Sequence, residues 1–171
     1  MKDAFGGIFN LALIAVFLVT AMGILGLTVN YTKAFRAKNI IISTIEEYGG
    51  GYTCFHNDGA CFKRIKEQTD RIAYHPHSLS CPPSKYGDWY VAPLESSTGS
   101  DNGLFCYDIT LSGGTLEDDD INDYWFTVVT QVDMDIPIIN KIMGLYFFQV
   151  KGDTRRIKNT SHQKINSFKY K

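Results

Sequence analysis

An uncharged, apolar stretch near the N-terminus constrains this chain more than any other feature. Residues 11–29 read LALIAVFLVTAMGILGLTV and contain no charged side chain. A helix rises about 1.5 Å per residue, so ~20 such residues are enough to cross the ~30 Å hydrocarbon core of a bilayer. The alternative is a cleaved secretory signal, but the apolar region of such a signal is usually only about 7 to 15 residues long. We therefore predict a retained single-pass transmembrane helix, with the lipid bilayer as its first partner.

The remainder of the chain has the size of one domain. The protein has 171 residues, and the part outside the apolar stretch falls in the usual range for a single hydrophobic core. The formal net charge of -1 gives no general attraction to polyanions, so we expect no nucleic-acid partner. We predict four segments: a leader-like segment at 1–8, a transmembrane and stalk helix at 9–48, an extracytoplasmic α+β domain at 49–157 and a basic tail at 158–171.

Two features indicate opposite locations for the domain. Lys33, Arg36 and Lys38 follow the apolar stretch, whereas only Lys2 and the amino terminus carry positive charge before it. The positive-inside rule therefore favours a cytoplasmic domain. An even number of cysteines at irregular spacing is instead typical of disulfides in an oxidising compartment. We favour the second indication and predict an extracytoplasmic domain anchored in the cell membrane.

The four cysteines are the candidates for these disulfides, and they allow three pairings. The turn-forming sequence Asn-Asp-Gly at 57–59 lies between the first two cysteines, so we predict one bridge across this short loop. The other bridge follows by elimination. The predicted pairs are Cys54 with Cys61 and Cys81 with Cys106.

Metal binding is the alternative use of these side chains. Zinc could bind the cysteines together with His56, His75 and His77, but structural zinc ligands usually come in pairs roughly two to four residues apart. Six residues separate Cys54 from Cys61. The acidic run EDDDIND at 117–123 offers carboxylates to calcium, but it lacks the ligand spacing and the glycine of an EF-hand loop. We interpret the histidines and the acidic run as surface residues and the cysteines as disulfide partners, and we expect no metal or cofactor.

Helical periodicity continues beyond the apolar stretch. Ala34, Ala37, Ile41, Ile45 and Tyr48 recur at steps of three or four, and neither proline nor glycine interrupts residues 27–48. Three glycines at 49–51 then favour the end of the helix. We predict one continuous helix over 9–48, about 60 Å long. Its stripe should pack on the domain, with Ile41, Ile45 and Tyr48 forming the contact between helix and sheet.

The sequence after this helix predicts a small antiparallel sheet. A short amphipathic helix is indicated at 62–72, followed by strands at about 89–91, 104–111, 124–133 and 145–151. In the strand at 124–133, alternate residues predict one face covered by the long helix and another that is partly wet. Strands that follow a long helix without repeated strand–helix alternation argue for an α+β fold in which helix and sheet bury each other.

Several segments carry a resemblance to a known family. The start, KDAFGGIFNLALIAVF, places Gly6 and Gly7 immediately before the apolar run, and KAFRAKN follows it. The later VDMDIPIINKIMGLYFFQVKGDTR looks like a strand, an Asp-Ile-Pro turn and a strand that ends in Gly-Asp-Thr. These segments resemble pilins and pseudopilins, in particular the small membrane-anchored pseudopilins related to the tight-adherence pilus, mainly over residues 1–48 and 124–157. Prepilins usually carry glutamate at the fifth position after the cleaved glycine, where this chain has Ala12.

The resemblance implies a structural role as a pilin-like subunit or minor pseudopilin in a bacterial surface filament or secretion apparatus. Its partners would be other pilin-like subunits or an assembly apparatus, and Gly23 and Gly26 would allow neighbouring helices to approach closely. The alternative is an anchored module that binds a glycan or a protein through loops at 75–102 and aromatic side chains. No nucleophile elbow, P-loop or zinc-protease helix occurs, so we expect no catalytic residues. The aromatic candidates are Tyr86, Trp89, Tyr90, Phe105, Tyr107, Tyr124 and Trp125.

Overall fold

The computed structural model describes residues 2–76, 79, 81–82, 89–92, 103–112, 123–133 and 147–158. It has an α+β fold made of one long helix, a second helix and an antiparallel sheet, as the periodicity predicts. The elements are α1 (Lys2–Glu47), a 3-10 turn (Tyr52–Cys54), α2 (Ala60–Arg71), β1 (Tyr90–Ala92), β2 (Phe105–Leu111), β3 (Asp123–Asp133), β4 (Phe147–Asp153) and β5 (Ile157–Lys158).

The sheet is built around β3. Its order is β1-β2-β3-β4, and β5 also pairs with β3. Every pairing is antiparallel. Between β4 and β5, Thr154 continues the edge, because its backbone N–H donates to the carbonyl of Phe126 at 2.8 Å and its hydroxyl accepts from the N–H of Phe126 at 2.9 Å. The strand β5 was not predicted, since two paired residues are too few to produce a periodic pattern.

Helix α1 is longer at its start than the sequence predicts. It runs without interruption for 46 residues, about 69 Å, and includes residues 2–8 of the predicted leader-like segment. No proline breaks this segment, and glycine weakens a helix without ending it. The helix ends at Glu47, after which Gly49 and Gly50 adopt positive φ values of 69° and 65° and reverse the chain.

The second half of α1 packs on the sheet through the predicted stripe. Ala34, Ala37, Ile41 and Ile45 are all 0% exposed. The hydroxyl of Thr130 donates to the carbonyl of Ala34 at 3.0 Å, which ties α1 to the middle of β3. Small side chains at the membrane-proximal end of the stripe therefore allow close approach, and larger ones fill the space further from it.

The prediction that Tyr48 belongs to this stripe is wrong. Its side chain is 40% exposed and lies just after the last residue of α1. The glycine turn covers this end of the core instead: a Cβ added at Gly50 would lie 2.3 Å from the ring of Phe126, and the hydroxyl of Tyr124 donates to the carbonyl of Gly49 at 2.8 Å. Backbone therefore occupies the space above Phe126, and Tyr48 lies partly in solvent beyond the end of the helix.

Aromatic rings form the centre of the larger core cluster. Phe55 stacks on Tyr107 with ring centroids 4.0 Å apart, and Phe126 lies 4.9 Å from Phe55. Ile41 and Ile45 belong to the same cluster. Burial raises the pKa of the Tyr107 phenol far above its ordinary value of 10.0, so this hydroxyl stays neutral at any physiological pH.

The face of β3 that points away from α1 is drier than the alternation predicts. Thr127 is 7% exposed, and Val129 and Gln131 are 2% exposed. The strand lies between β2 and β4, so side chains from both neighbours flank this face, with Cys106 directly opposite Val129. The disulfide Cys81–Cys106 also brings the segment around Cys81 to this face, so its burial depends on tertiary neighbours that periodicity does not reveal.

The hydroxyl of Tyr74 hydrogen-bonds the backbone of β3 just beyond the end of its pairing with β2. The register of β2 on β3 ends at Val129, and the Tyr74 hydroxyl takes the next place by accepting from the Gln131 N–H at 3.0 Å and donating to its carbonyl at 3.1 Å. We expect Tyr74→Phe to cost about 1 to 3 kcal/mol, because it deletes both buried hydrogen bonds. Chemical denaturation measures the loss. Tyr48→Phe makes the same deletion on an exposed ring and should cost almost nothing; equal losses would contradict this role for Tyr74.

Candidate functional site

The apolar half of α1, residues 8–29, is the most distinctive surface of the molecule. Within the described chain, α1 alone is long and apolar enough to cross a membrane, and none of its most apolar window is buried against the rest of the protein. The exposed fractions are 71% for Leu11, 72% for Phe17 and 71% for Met22. A surface helix of a water-soluble domain buries such side chains, so this surface requires a bilayer or other apolar helices.

The threonine hydroxyls of this half are compatible with hydrocarbon. The hydroxyl of Thr20 donates to the carbonyl of Val16 at 2.8 Å, so its hydrogen-bonding capacity is used within the helix. Tyr31, 49% exposed, follows the uncharged stretch, and Lys33 and Arg36 come next. Aromatic and then cationic residues are typical of the boundary between hydrocarbon and headgroups. The helix therefore has the polarity profile of a membrane span.

Gly23 and Gly26 lie within the apolar half, where they were predicted to permit helix association. A Cβ added at Gly26 would meet nothing within 4 Å, so the backbone there is open to an approaching surface. The two glycines are three residues apart and share one side of the helix. Contact with a second helix stays a prediction, because a single chain is described.

Both predicted disulfides are present in the structure. Cys54–Cys61 joins Cα atoms 4.5 Å apart, and Cys81–Cys106 joins Cα atoms 5.7 Å apart. The first closes the loop before α2, and the second connects the chain ahead of β1 to β2. Such bridges persist in oxidising compartments, which favours an extracytoplasmic domain.

The loop of the first disulfide requires a glycine. A Cβ added at Gly59 would lie 1.9 Å from the carbonyl oxygen of Thr53. Neither side of this contact can yield easily, because Gly59 immediately precedes α2 and Thr53 belongs to the 3-10 turn next to Cys54. The backbone at Gly59 thus packs directly against the backbone at Thr53, next to the disulfide.

Those metal-binding candidates that the structure describes do not form one site. Cys54 and Cys61 are consumed by their disulfide, and His75 lies 3.6 Å from the carboxylate of Asp70 as a surface pair. His77 and the acidic run at 117–122 lie outside the described residues. Within the parts that are described, no group of three or more His, Cys, Asp or Glu side chains could hold a metal ion.

His56 lies inside the loop of the first disulfide, and its burial lowers its pKa below the ordinary value of 6.5. The unfolded chain therefore binds the proton more strongly than the folded domain does. We expect the melting temperature to fall as the pH drops through about 6.5, because protonation then favours unfolding. His56→Gln should show a shallower pH dependence over this range. Parallel melting curves for the two proteins would contradict the prediction.

The aromatic candidates separate into core residues and surface residues. Phe105 and Tyr107 are 0% exposed and Tyr124 is 4% exposed, so these rings pack inside the domain. Tyr90 lies beside Tyr107 at a centroid distance of 5.5 Å. Tyr86 lies outside the described residues. No platform made of the whole predicted set can therefore exist.

Trp89 and Trp125 remain as half-buried rings on the side of the sheet away from α1. The Lys151 ammonium lies 5.7 Å from the Trp89 ring centroid, and the Arg156 guanidinium lies 5.6 Å from that of Trp125. Each ring thus has a cation above it. These two positions are accessible parts of the predicted aromatic surface that lie away from the core cluster.

Two positioning residues, Thr130 and Tyr74, were not predicted. Each acts through a single hydroxyl on a distant backbone group, and a lone hydroxyl in a sequence does not reveal its partner.

The chain matches no family model, no curated protein and no solved structure. The assignment of function must therefore come from the geometry of the chain itself.

Proposed function

We propose that this protein is a membrane-anchored, pilin-like or minor pseudopilin subunit with a structural role in a bacterial surface filament or secretion apparatus. The observation that supports the proposal best is the division of α1. One uninterrupted helix of 46 residues is apolar and largely exposed over residues 8–29 and forms part of a disulfide-bonded core in its second half. Anchor and domain are thus one rigid element.

The rigid connection between the membrane helix and the domain suits assembly of several subunits. A domain joined to its anchor by a flexible linker could rotate freely, whereas the buried stripe of α1 fixes the direction of the domain relative to the membrane helix. Helices that associate through their apolar halves would then present every domain in the same orientation. In this proposal the glycines at 23 and 26 form the side on which neighbouring helices meet, because small residues let backbones approach closely.

Cross-linking in native membranes tests the proposal. Gly26→Cys places a thiol on the proposed contact side, and Thr28→Cys places one ~200° further around the helix. We expect oxidation to link chains carrying Gly26→Cys into dimers and to leave chains carrying Thr28→Cys monomeric. Imaging and mass analysis of the unmodified assembly should show multi-subunit particles. Equal cross-linking at both positions, or a dispersed monomer by mass, would refute the role in assembly.

A second candidate function is supported by Trp89 and Trp125. An anchored module that binds a glycan or a protein would use accessible aromatic rings on the sheet face away from the membrane helix. A dispersed monomer whose ligand affinity is lost in the double variant Trp89→Ala/Trp125→Ala would favour this alternative. Assemblies that form normally with both tryptophans replaced would favour the structural role.

A further inference from the structure

A groove lies where the apolar half of α1 meets the folded domain. It has a volume of about 370 Å³ and is formed by one side of α1 together with the C-terminal end of α2. The cations Lys33, Arg36 and Arg71 line it, and Val29 and Ile72 supply apolar surface. Arg71 is far from the other two cations in the sequence, so folding alone brings the three together.

The charge of the groove is positive. α1 contains no acidic residue between Asp3 and Glu46. Neither Lys33 nor Arg36 belongs to an ion pair among the described residues, whereas Arg71 bonds the carboxylate of Glu67 at 2.5 Å. One acid therefore offsets one of three cations, and two positive charges remain for a ligand.

The height of the groove along α1 matches the headgroup layer of a bilayer. Val29 is the last residue of the apolar stretch, and Lys33 and Arg36 lie about 6 Å and 10 Å further along the helix axis. The headgroup region extends roughly 5 to 8 Å beyond the hydrocarbon on each side. Lys33 thus lies at the depth of the phosphates, and Arg36 can reach them because side chains of a helix tilt toward its N-terminus, which here points into the bilayer. Val29 lies next to the acyl chains.

The hydroxyls of the groove have a different role from its cations. Thr28 donates to the carbonyl of Ile24 and Thr32 donates to the carbonyl of Thr28, each at 2.8 Å. Their protons are used within the helix, so a phosphate in the groove receives its contacts from Lys33, Arg36 and Arg71. Arginine binds phosphate oxygens with two parallel N–H groups, and lysine binds them as a point charge.

We propose that this groove binds the phosphate-bearing headgroup of an anionic phospholipid. The bound lipid would set the depth of α1 in the membrane and hold the base of the domain against the bilayer surface. The inference depends on the insertion of α1 in a membrane but not on assembly into a filament. It also gives Lys33 and Arg36 a role in lipid binding on the extracytoplasmic side, where the positive-inside rule does not account for them.

Native mass spectrometry of the full chain in detergent tests the proposal with equimolar phosphatidylglycerol and phosphatidylcholine as probes. We expect the protein to retain phosphatidylglycerol preferentially, and each cation replaced by glutamine to reduce retention about fivefold. The triple variant Lys33→Gln/Arg36→Gln/Arg71→Gln should therefore lose the preference. Lys38→Gln removes the same charge from α1 outside the groove, and Thr32→Val removes a hydroxyl inside it; both should keep the preference.

Three results would overturn the inference: equal retention of the two lipids, preference for phosphatidylglycerol in the triple variant, or displacement of the lipid by inorganic phosphate, which would indicate a site for a soluble anion. Circular dichroism of each variant checks that the domain is folded. Cross-linking through Gly26→Cys in the background of the triple variant separates the two proposals, because assembly should persist when lipid retention is lost.

Discussion

Ile45→Asp should unfold the domain or lower its free energy of unfolding by about 4 kcal/mol or more. Ile45 is 0% exposed and belongs to the core cluster that contains Phe55, Tyr107 and Phe126. The substitution removes a buried aliphatic side chain and introduces a carboxylate in its place, where desolvation costs several kcal/mol even after relaxation. Near-ultraviolet circular dichroism during chemical denaturation reports the loss, because the signal comes from packed aromatic rings.

Glu47→Lys provides the matched control. Glu47 is exposed and ends α1 two residues after Ile45, so its replacement changes charge without burial. We expect a change within about 0.5 kcal/mol, since lysine suits the C-terminal end of a helix. Glu46 is not suitable as the control, because its carboxylate accepts a hydrogen bond of 2.7 Å from the backbone N–H of Arg155. Small, equal losses for Ile45→Asp and Glu47→Lys would mean that the stripe of α1 is not in the core.

Removing the disulfide Cys81–Cys106 should cost about 3.5 kcal/mol, and removing Cys54–Cys61 should cost about 2.4 kcal/mol. The two bridges span sequence separations of 25 and 7 residues, and the longer loop leaves the unfolded chain more freedom when it is opened. Double alanine variants, Cys81→Ala/Cys106→Ala and Cys54→Ala/Cys61→Ala, permit the comparison by chemical denaturation. Non-reducing peptide mapping of the unmodified protein verifies the pairing first.

The reverse order of stability would mean that packing around the buried first bridge outweighs chain entropy. Free thiols in protein purified without reductant, or a bridge between Cys61 and Cys81, would contradict the pairing itself. Either disulfide is a sizeable fraction of the stability of an ordinary domain, which is about 5 to 15 kcal/mol. Loss of the bridge to β2 should therefore also expose the domain to proteases at temperatures where the unmodified protein resists them.

The strands show how much of the sheet the periodicity of the sequence can predict. Alternation of apolar residues predicted β3 to within one residue at its start and placed Phe126 and Val128 on the side of α1. It did not predict the burial of Val129 and Gln131, because a residue pattern contains no information about which strands become neighbours. The two-residue strand β5 was missed for a related reason: its pairing with Asp123 and Tyr124 depends on the path of the chain after β4.

The surfaces of the protein also differ in how far the sequence predicts them. The exposed apolar half of α1 follows from the composition of residues 11–29 alone, and the two glycines on its surface are visible in the sequence. The basic groove does not follow from the sequence, since Arg71 reaches Lys33 and Arg36 only when α2 folds back beside α1. Likewise, Trp89 and Trp125 could be distinguished from the buried aromatic residues only after the register of the sheet was known.

Residue patterns were therefore sufficient to predict the features that belong to one chain segment: a membrane-length apolar helix, its continuation as an amphipathic helix, the α+β class and the short disulfide loop. Each depends on the local periods of helix and strand or on the proximity of residues in the chain. Features formed where distant segments meet became visible only in the fold: the exposure of Tyr48, the hydroxyl of Tyr74 beside β3, the dry second face of β3 and the basic groove. These depend on the packing of distant elements, which excludes or admits water at positions that look alike in a one-dimensional pattern.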